Sequence, residues 1–170
     1  MNVSTKQKRI RDIRVILLVF ITGLIVSGIT AFPIETELTV LVQFKAILPV
    51  TIQPWLTNVY LAVVHTNKTY PYLSYGTDWL AFAHLVIAVA FIGPLKDPVK
   101  NIWVIEFGMI ACLMVFPLAF ICAPIRGIPF FWQLIDCSFG VFGFIPLFIC
   151  YRKIRLLESQ TSAAADHKSY

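Results

Sequence analysis

Three ionisable side chains interrupt the long apolar segments of this sequence, and they are its first candidates for chemistry. These residues are His84, Glu106 and Asp136. A charged side chain at mid-depth in hydrocarbon costs about 2.5–3.5 kcal/mol, so a membrane segment carries one mainly where it binds a ligand, relays a proton or meets an opposite charge. At about 1.5 Å per residue, His84 and Asp136 fall at similar depths in their segments. We therefore predict a polar site near the outer leaflet that contains both.

Arg126 and Asp78 complete this predicted site. Arg126 is the only basic residue between the third and fourth apolar segments, and its side chain can reach toward Asp136. Such a pair would be either a structural clamp or an anion-binding corner. Asp78 opens the segment that contains His84. Small residues share helix faces with the polar ones, which indicates either tight helix packing or a ligand cavity, and the sequence leaves both readings open.

Glu106 differs from the other two because its segment places it only a turn or two from the cytoplasmic end. One reading is that it pairs there with Lys96 or Lys100, whose long side chains can reach the interface. The other is that it carries a proton or binds a ligand. The sequence predicts one of these two roles for Glu106.

Metal and haem sites are not predicted. Four cysteines, Cys112, Cys122, Cys137 and Cys150, all lie in apolar segments without zinc-like spacing. A haem held by two histidines would need a second histidine in a span, and His84 is alone there. We expect the cysteines to be small core residues, with a Cys122–Cys137 disulfide as the alternative for that pair.

The apolar segments themselves predict a multi-pass membrane protein. Hydrophobic residues make up 58% of the 170 residues and charged ones only 14%, whereas soluble domains carry about a quarter charged residues. Four segments are long enough to cross a hydrocarbon core of about 30 Å as transmembrane helices. They cover residues 15–32, 78–95, 101–123 and 129–151, with aromatic residues such as Trp79 clustered at their ends as in interfacial belts. The predicted fold is an all-α four-helix bundle, one domain over residues 1–155.

Lysine and arginine residues predict the orientation. Eleven of them flank one set of segment ends and three the other, namely Lys45, Lys68 and Arg126. Cytoplasmic flanks carry the excess, so both termini are expected in the cytoplasm. The net charge of +5 thus reflects topology, and we predict no nucleic-acid partner. Residues 156–170 lack periodicity and are predicted to be a disordered cytoplasmic tail.

Between the first two segments, residues 33–77 are too interrupted by charge and proline to cross a membrane. Within them, apolar residues recur at helical spacing, which predicts one short amphipathic helix. Its apolar stripe consists of Trp55, Leu56, Val59, Tyr60, Val63 and Val64. We expect this helix to lie in the interface on the outer face of the bundle.

Three stretches resemble a group of small bacterial four-span membrane proteins to which no activity is attached. The stretches are YGTDWLAFAH at 75–84, IGPLKDPVKNIWVIEFG at 92–108 and RGIPFFWQLIDCSFG at 126–140. The resemblance covers roughly residues 70–155. It implies a location in the bacterial inner membrane and implies no catalytic residue or cofactor.

The small size and the lack of a complete catalytic constellation favour a ligand-binding or accessory subunit. Its partners would be the bilayer, a lipid or quinone, and a larger membrane protein. The first alternative is an intramembrane enzyme that uses His84 as a general base oriented by Asp136. The second is an oligomeric proton-coupled transporter with His84 or Glu106 as the proton site.

Overall fold

The protein is all-helical. The computed structural model describes the backbone of residues 3–166 and the side chains of residues 6–159, and no β-strand occurs in this part of the chain. The helices are α1 (Val3–Ala31), α2 (Ile34–Gln43), α3 (Gln53–Thr69), α4 (Pro71–Ala90), α5 (Ile92–Lys96), α6 (Ile102–Pro117), α7 (Ala123–Ile125) and α8 (Phe130–Asp166). A 3-10 turn covers Lys45–Ile47, and a π-helical turn covers Leu118–Cys122 after Pro117. Residues 167–170 of the predicted tail, including His167, lie outside the described residues.

Four helical segments are long and apolar enough to cross a membrane. They are Lys6–Ala31, Pro71–Lys96, Ile102–Ile125 and Phe130–Ser159. The shortest has 24 residues, which gives about 36 Å at 1.5 Å per residue and exceeds the hydrocarbon core of about 30 Å. The four spans expected from the sequence are therefore confirmed as membrane-length apolar helices.

Three of these helices extend well beyond their predicted limits. α1 begins at Val3 instead of residue 15. α4 begins at Pro71 instead of residue 78, since proline suits a first helical turn, where its missing N–H has no partner to lose. α8 continues past residue 151 to Asp166, through most of the predicted tail. Ile154 and Leu157 are buried there, and Arg155 pairs with Glu158 one turn later at 3.0 Å. These contacts favour helix where composition predicted disorder.

Two helices, α2 and α3, precede α4 within residues 33–77, where the sequence predicted one. α3 covers the apolar stripe and buries Leu56, whereas the placement of α3 at a membrane face stays a prediction. α2 was not predicted from the sequence, because the prolines and charged residues of this segment argue against a membrane-spanning helix. The signal for α2 is present nonetheless: Glu35 and Glu37 occupy its first turn directly after Pro33, a pattern typical of a helix start.

Contacts divide the chain into two units. The terminal unit comprises Met1–Thr22 and Val89–Tyr170, and the central unit comprises Gly23–Ala88. The boundaries fall within α1 and within α4. Each unit therefore contains part of two membrane-length helices.

In the terminal unit, glycines allow α6 and α8 to pack closely. A Cβ atom at Gly140 would lie 2.7 Å from the carbonyl oxygen of Cys112, and one at Gly143 would lie 2.8 Å from Cys112 Sγ. Small residues of this kind let membrane helices approach backbone to backbone. The buried side chains of this unit are Ile13, Leu17, Ile21, Phe91, Pro94, Pro98, Val104, Ile105, Ala119, Gln133, Cys137, Leu147, Cys150, Ile154 and Leu157.

Charged side chains gather at one end of the terminal unit. Lys153 pairs with Asp12 at 2.9 Å, and Arg155 pairs with Glu106 at 3.2 Å. Arg14 donates to the carbonyls at the end of α5, Leu95 O at 3.2 Å and Lys96 O at 3.3 Å. Four helix ends therefore meet here: the start of α1, the end of α5, the start of α6 and the end of α8. Spans of alternating direction require this arrangement, and its placement in the cytoplasm stays a prediction.

The partner of Glu106 differs from the one expected. Its carboxylate pairs with Arg155 of α8, not with Lys96 or Lys100. Lys100 instead pairs with Asp97 at 3.8 Å. The sequence ended the fourth span before Arg155, and the greater length of α8 brings that guanidinium beside α6.

Candidate functional site

One face of α4 in the central unit lines a cleft. Tyr75, Asp78, Trp79 and Phe82 are spaced i, i+3, i+4 and i+7, so they share one helix face. Phe32, directly after α1, closes the cleft, whose volume is about 280 Å³. The cleft therefore combines four aromatic side chains with one carboxylate.

Contacts between rings orient the aromatic lining. The ring centroid of Trp79 lies 6.0 Å from that of Tyr75 and 6.0 Å from that of Phe82, with interplanar angles of 77° and 87°. Edge-to-face pairs of this geometry are attractive beyond the area that they bury. All three side chains remain at least half exposed, so ring surface is available to a ligand.

Asp78 is the unusual member of the cleft. Its carboxylate is half-buried, and no hydrogen bond or ion pair to it is found within residues 6–159. An interfacial belt accounts for exposed tyrosine and tryptophan side chains, but it does not account for an unpaired acid among them. Removing such a group from water is unfavourable unless a partner compensates it. The cleft can therefore provide one negative charge to a ligand.

A chain of hydrogen bonds holds the elements beside the cleft. Asn67 at the end of α3 donates from Nδ2 to Glu35 Oε2 of α2 at 2.5 Å. Ser74 of α4 donates from its hydroxyl to Oδ1 of the same asparagine. Because Ser74 directly precedes Tyr75, this chain fixes the first turns of α4 on which the cleft is built.

His84, also on α4, lies at a tight contact with α1. Its Nδ1 is 2.8 Å from the carbonyl oxygen of Leu80; a carbonyl only accepts, so Nδ1 donates. A Cβ at Gly28 of α1 would lie 2.9 Å from the Ala81 carbonyl oxygen and 3.2 Å from His84 Cβ. Of the two readings that the sequence left open, tight helix packing describes this stretch of α4.

Arg126 and Asp136 both belong to the terminal unit. Arg126 is exposed after α7, whereas Asp136 is half-buried in α8, and no ion pair joins them in the described part of the chain. The buried polar side chain nearby is Gln133, which donates to Ile128 O at 2.9 Å. His84 belongs to the other unit, so its joint site with Asp136 stays a prediction.

All four cysteines are free thiols. Cys122 is exposed and Cys137 is buried, and no disulfide joins them. Among the side chains of residues 6–159, no group of three or more histidine, cysteine, aspartate or glutamate residues is placed to hold a metal ion.

Sequence reasoning named Asp78 but did not recognise its surroundings. Trp79 was interpreted as a belt residue, and Tyr75 and Phe82 were not singled out. The available signal was their spacing on either side of Asp78 along one helix face. Phe32 had no such signal, because its position depends on how α1 packs against α4.

No protein-family model, no curated protein and no solved structure matches the chain. The resemblance to bacterial four-span proteins therefore stays a prediction, as do the bacterial origin and inner-membrane location that it implies. The membrane-length helices and the geometry of the cleft are what bear on function.

Proposed function

We propose that this multi-pass membrane protein binds a small cationic group, an ammonium or quaternary ammonium, in the cleft around Asp78. The observation that carries the proposal is the half-buried, unpartnered carboxylate of Asp78 among four aromatic side chains. Amphiphilic lipids with such a head group are the natural source, since the helix that forms the cleft is of membrane-spanning length.

The chemistry of the lining favours a cation. Aromatic faces attract ammonium groups by about 0.5–2 kcal/mol, more when water is excluded. A carboxylate adds direct charge attraction in surroundings less polar than water. Asp78 directly precedes the apolar stretch from Trp79 to Leu95, so our proposal places it at the level of the lipid head groups.

The same features weigh against the quinone expected as an alternative to a lipid. A quinone presents carbonyl oxygens, to which the Tyr75 hydroxyl and the Trp79 indole N–H can donate, but an ionised carboxylate only accepts hydrogen bonds, so Asp78 has no favourable contact to make with it. Small-molecule sites commonly enclose about 300–1,000 Å³, and the volume of this cleft, about 280 Å³, suits a head group better than a whole amphiphile.

Native mass spectrometry with defined lipids tests the proposal. The protein in neutral detergent is equilibrated with equal amounts of phosphatidylcholine, phosphatidylethanolamine and phosphatidylglycerol. We expect the two lipids that carry a cation to be retained over phosphatidylglycerol. Asp78→Asn should weaken their binding by about tenfold or more, equivalent to about 1.4 kcal/mol. Trp79→Leu should weaken it roughly two- to thirtyfold, the range of a cation–π contact.

Matched variants outside the cleft serve as controls. Asp97→Asn removes a carboxylate that pairs with Lys100, and Trp103→Leu removes an exposed tryptophan of α6; neither should change the lipid preference. Tetramethylammonium that displaces phosphatidylcholine would identify the head-group cation as the recognised part. Equal retention of all three lipids by the wild type, or binding unchanged in Asp78→Asn, would contradict the proposal.

Roles as an accessory subunit, an enzyme or a transporter stay predictions. The enzyme requires a joint site of His84 and Asp136, and the transporter requires a proton path through His84 or Glu106. Head-group binding at Asp78 requires neither, and it is compatible with an accessory role beside a larger membrane protein.

A further inference from the structure

The connection between α2 and α3 exposes apolar side chains at its turn. Phe44, Ile47 and Val50 are 59%, 82% and 79% exposed, and we call these three residues the hairpin tip. α2 and α3 pack against each other in the central unit, so the three side chains lie where this helical hairpin reverses. Clustered apolar side chains of this kind mark an interaction surface.

Part of the backbone around the hairpin tip is hydrogen-bonded internally. Its bonds run from Ile47 N to Phe44 O (3.2 Å), from Leu48 N to Lys45 O (3.0 Å) and from Ile52 N to Pro49 O (2.9 Å). The side chain of Gln53 donates to Leu48 O at 2.9 Å. Hydrocarbon offers no hydrogen-bond partners, so a turn can enter it only if its backbone groups are paired elsewhere. These backbone contacts lower the cost of bringing the turn to an apolar medium, whereas the N–H groups of Val50 and Thr51 have no hydrogen-bond partner among the described residues and must stay at the level of the interface.

The opposite end of the hairpin is polar and adjoins two membrane-length helices. α2 begins at Ile34, just after α1 ends at Ala31, and α3 leads to α4 through Tyr70. The bond between Glu35 and Asn67 joins this end. α2 has 10 residues, so at about 1.5 Å per residue the hairpin tip lies about 15 Å along the hairpin from the end of α1.

Charge along the hairpin also favours a lipid partner. Residues 38–77 contain no aspartate or glutamate, and Lys45 is the only charged residue at the turn. A lysine beside inserted apolar residues can extend its stem along them and keep its ammonium at the level of lipid phosphates.

We propose that the hairpin tip inserts into the acyl-chain layer of the leaflet that α1 reaches at Ala31. The hairpin then lies along the membrane surface with Phe44, Ile47 and Val50 in hydrocarbon and Lys45 at the phosphates. Interfacial elements of this kind enter a leaflet by about 5–10 Å. This contact is independent of the Asp78 cleft.

Fluorescent labels in vesicles test the insertion. Single cysteines at positions 47 and 50, in a background without native cysteines, carry an environment-sensitive nitrobenzoxadiazole label. A matched cysteine replaces Lys68, which is exposed near the polar end of the hairpin. In vesicles of phosphatidylcholine and phosphatidylglycerol, we expect blue-shifted emission at 47 and 50, and quenching by doxyl-labelled lipids several times greater than at 68.

Circular dichroism confirms folding of each labelled protein; Ile47 and Val50 are largely exposed, so labelling should not disturb the fold. Quenching by aqueous iodide at 47 and 50 equal to that at 68 would overturn the proposal. Protection from both iodide and doxyl lipids, with energy transfer between labelled copies, would also overturn it, because a second copy would then cover the hairpin tip.

Discussion

Lys153 of α8 donates a hydrogen bond of 2.9 Å from Nζ to Oδ2 of Asp12 in α1, joining residues 141 positions apart in the chain. Three of the membrane-length helices contribute to the same end of the terminal unit, because Arg155 of α8 also pairs with Glu106 of α6 there. The pair of Asp12 and Lys153 is therefore a long-range restraint on how the first and last spans meet.

Removing either partner of this pair should lower thermal stability in detergent. Asp12→Asn and Lys153→Met each leave one side chain without its partner. The double variant should therefore lose less thermal stability than the sum of the two single losses. The side chains are 37% and 30% exposed, so salt should partly screen the effect. Melting curves of the four proteins at low and high sodium chloride measure this coupling, and equal, additive losses at both concentrations would contradict it.

Much of the fold was predictable because hydrocarbon imposes a strong and simple rule. The four apolar runs had to be helices of spanning length, and they are. The rule gives no information outside the apolar runs: the sequence did not predict α2, and it ended the fourth span before Arg155. The partners of charged side chains were harder to predict. Glu106 pairs with Arg155 because α8 continues beyond its apolar residues.

Part of the candidate site was also predictable, because a charged residue at the edge of an apolar run is conspicuous. An aspartate beside an apolar run, Asp78, is visible in one sequence, and so is the helical spacing of its aromatic neighbours on α4. Phe32 approaches the cleft from the turn after α1, and no local sequence pattern predicts such a tertiary contact.

Labelling from the two sides of the membrane should establish the orientation. Lys68→Cys is expected to react with an impermeant maleimide in intact cells, and Lys100→Cys only after the inner face is opened. Both side chains are exposed, so differences in reaction report sidedness and not burial. Reaction at position 100 in intact cells would reverse the predicted topology.

Arg126 and Asp136 should behave as independent sites. No ion pair joins them within the described residues, although the sequence alone favoured a pair. Thermal stabilities of Arg126→Gln, Asp136→Asn and the double variant should therefore add within about 0.5 kcal/mol. Coupling well above this value would place the two side chains in contact and restore the predicted outer site.

The last prediction compares two glycines of α1. A Cβ at Gly28 would lie 2.9 Å from the backbone carbonyl oxygen of Ala81 and 3.0 Å from Leu85 Cδ2. A backbone oxygen cannot rotate away, so Gly28→Ala must move α1 from α4, and overpacking of this kind costs about 1–3 kcal/mol. At Gly23 nothing lies within 4 Å of the added Cβ, so Gly23→Ala should leave stability unchanged or raise it, since alanine favours helix by up to about 1 kcal/mol.

The two variants make the same chemical change in the same helix, so hydrophobicity and membrane insertion are matched. Thermal unfolding in detergent, followed by circular dichroism, should show a lower melting temperature for Gly28→Ala only. A larger residue at 28, as in Gly28→Leu, should lower it further, because the separation of the helices grows with the side chain. Equal melting temperatures for Gly23→Ala and Gly28→Ala would mean that α1 and α4 do not approach each other at His84 and Ala81, and the close packing around His84 would have to be abandoned.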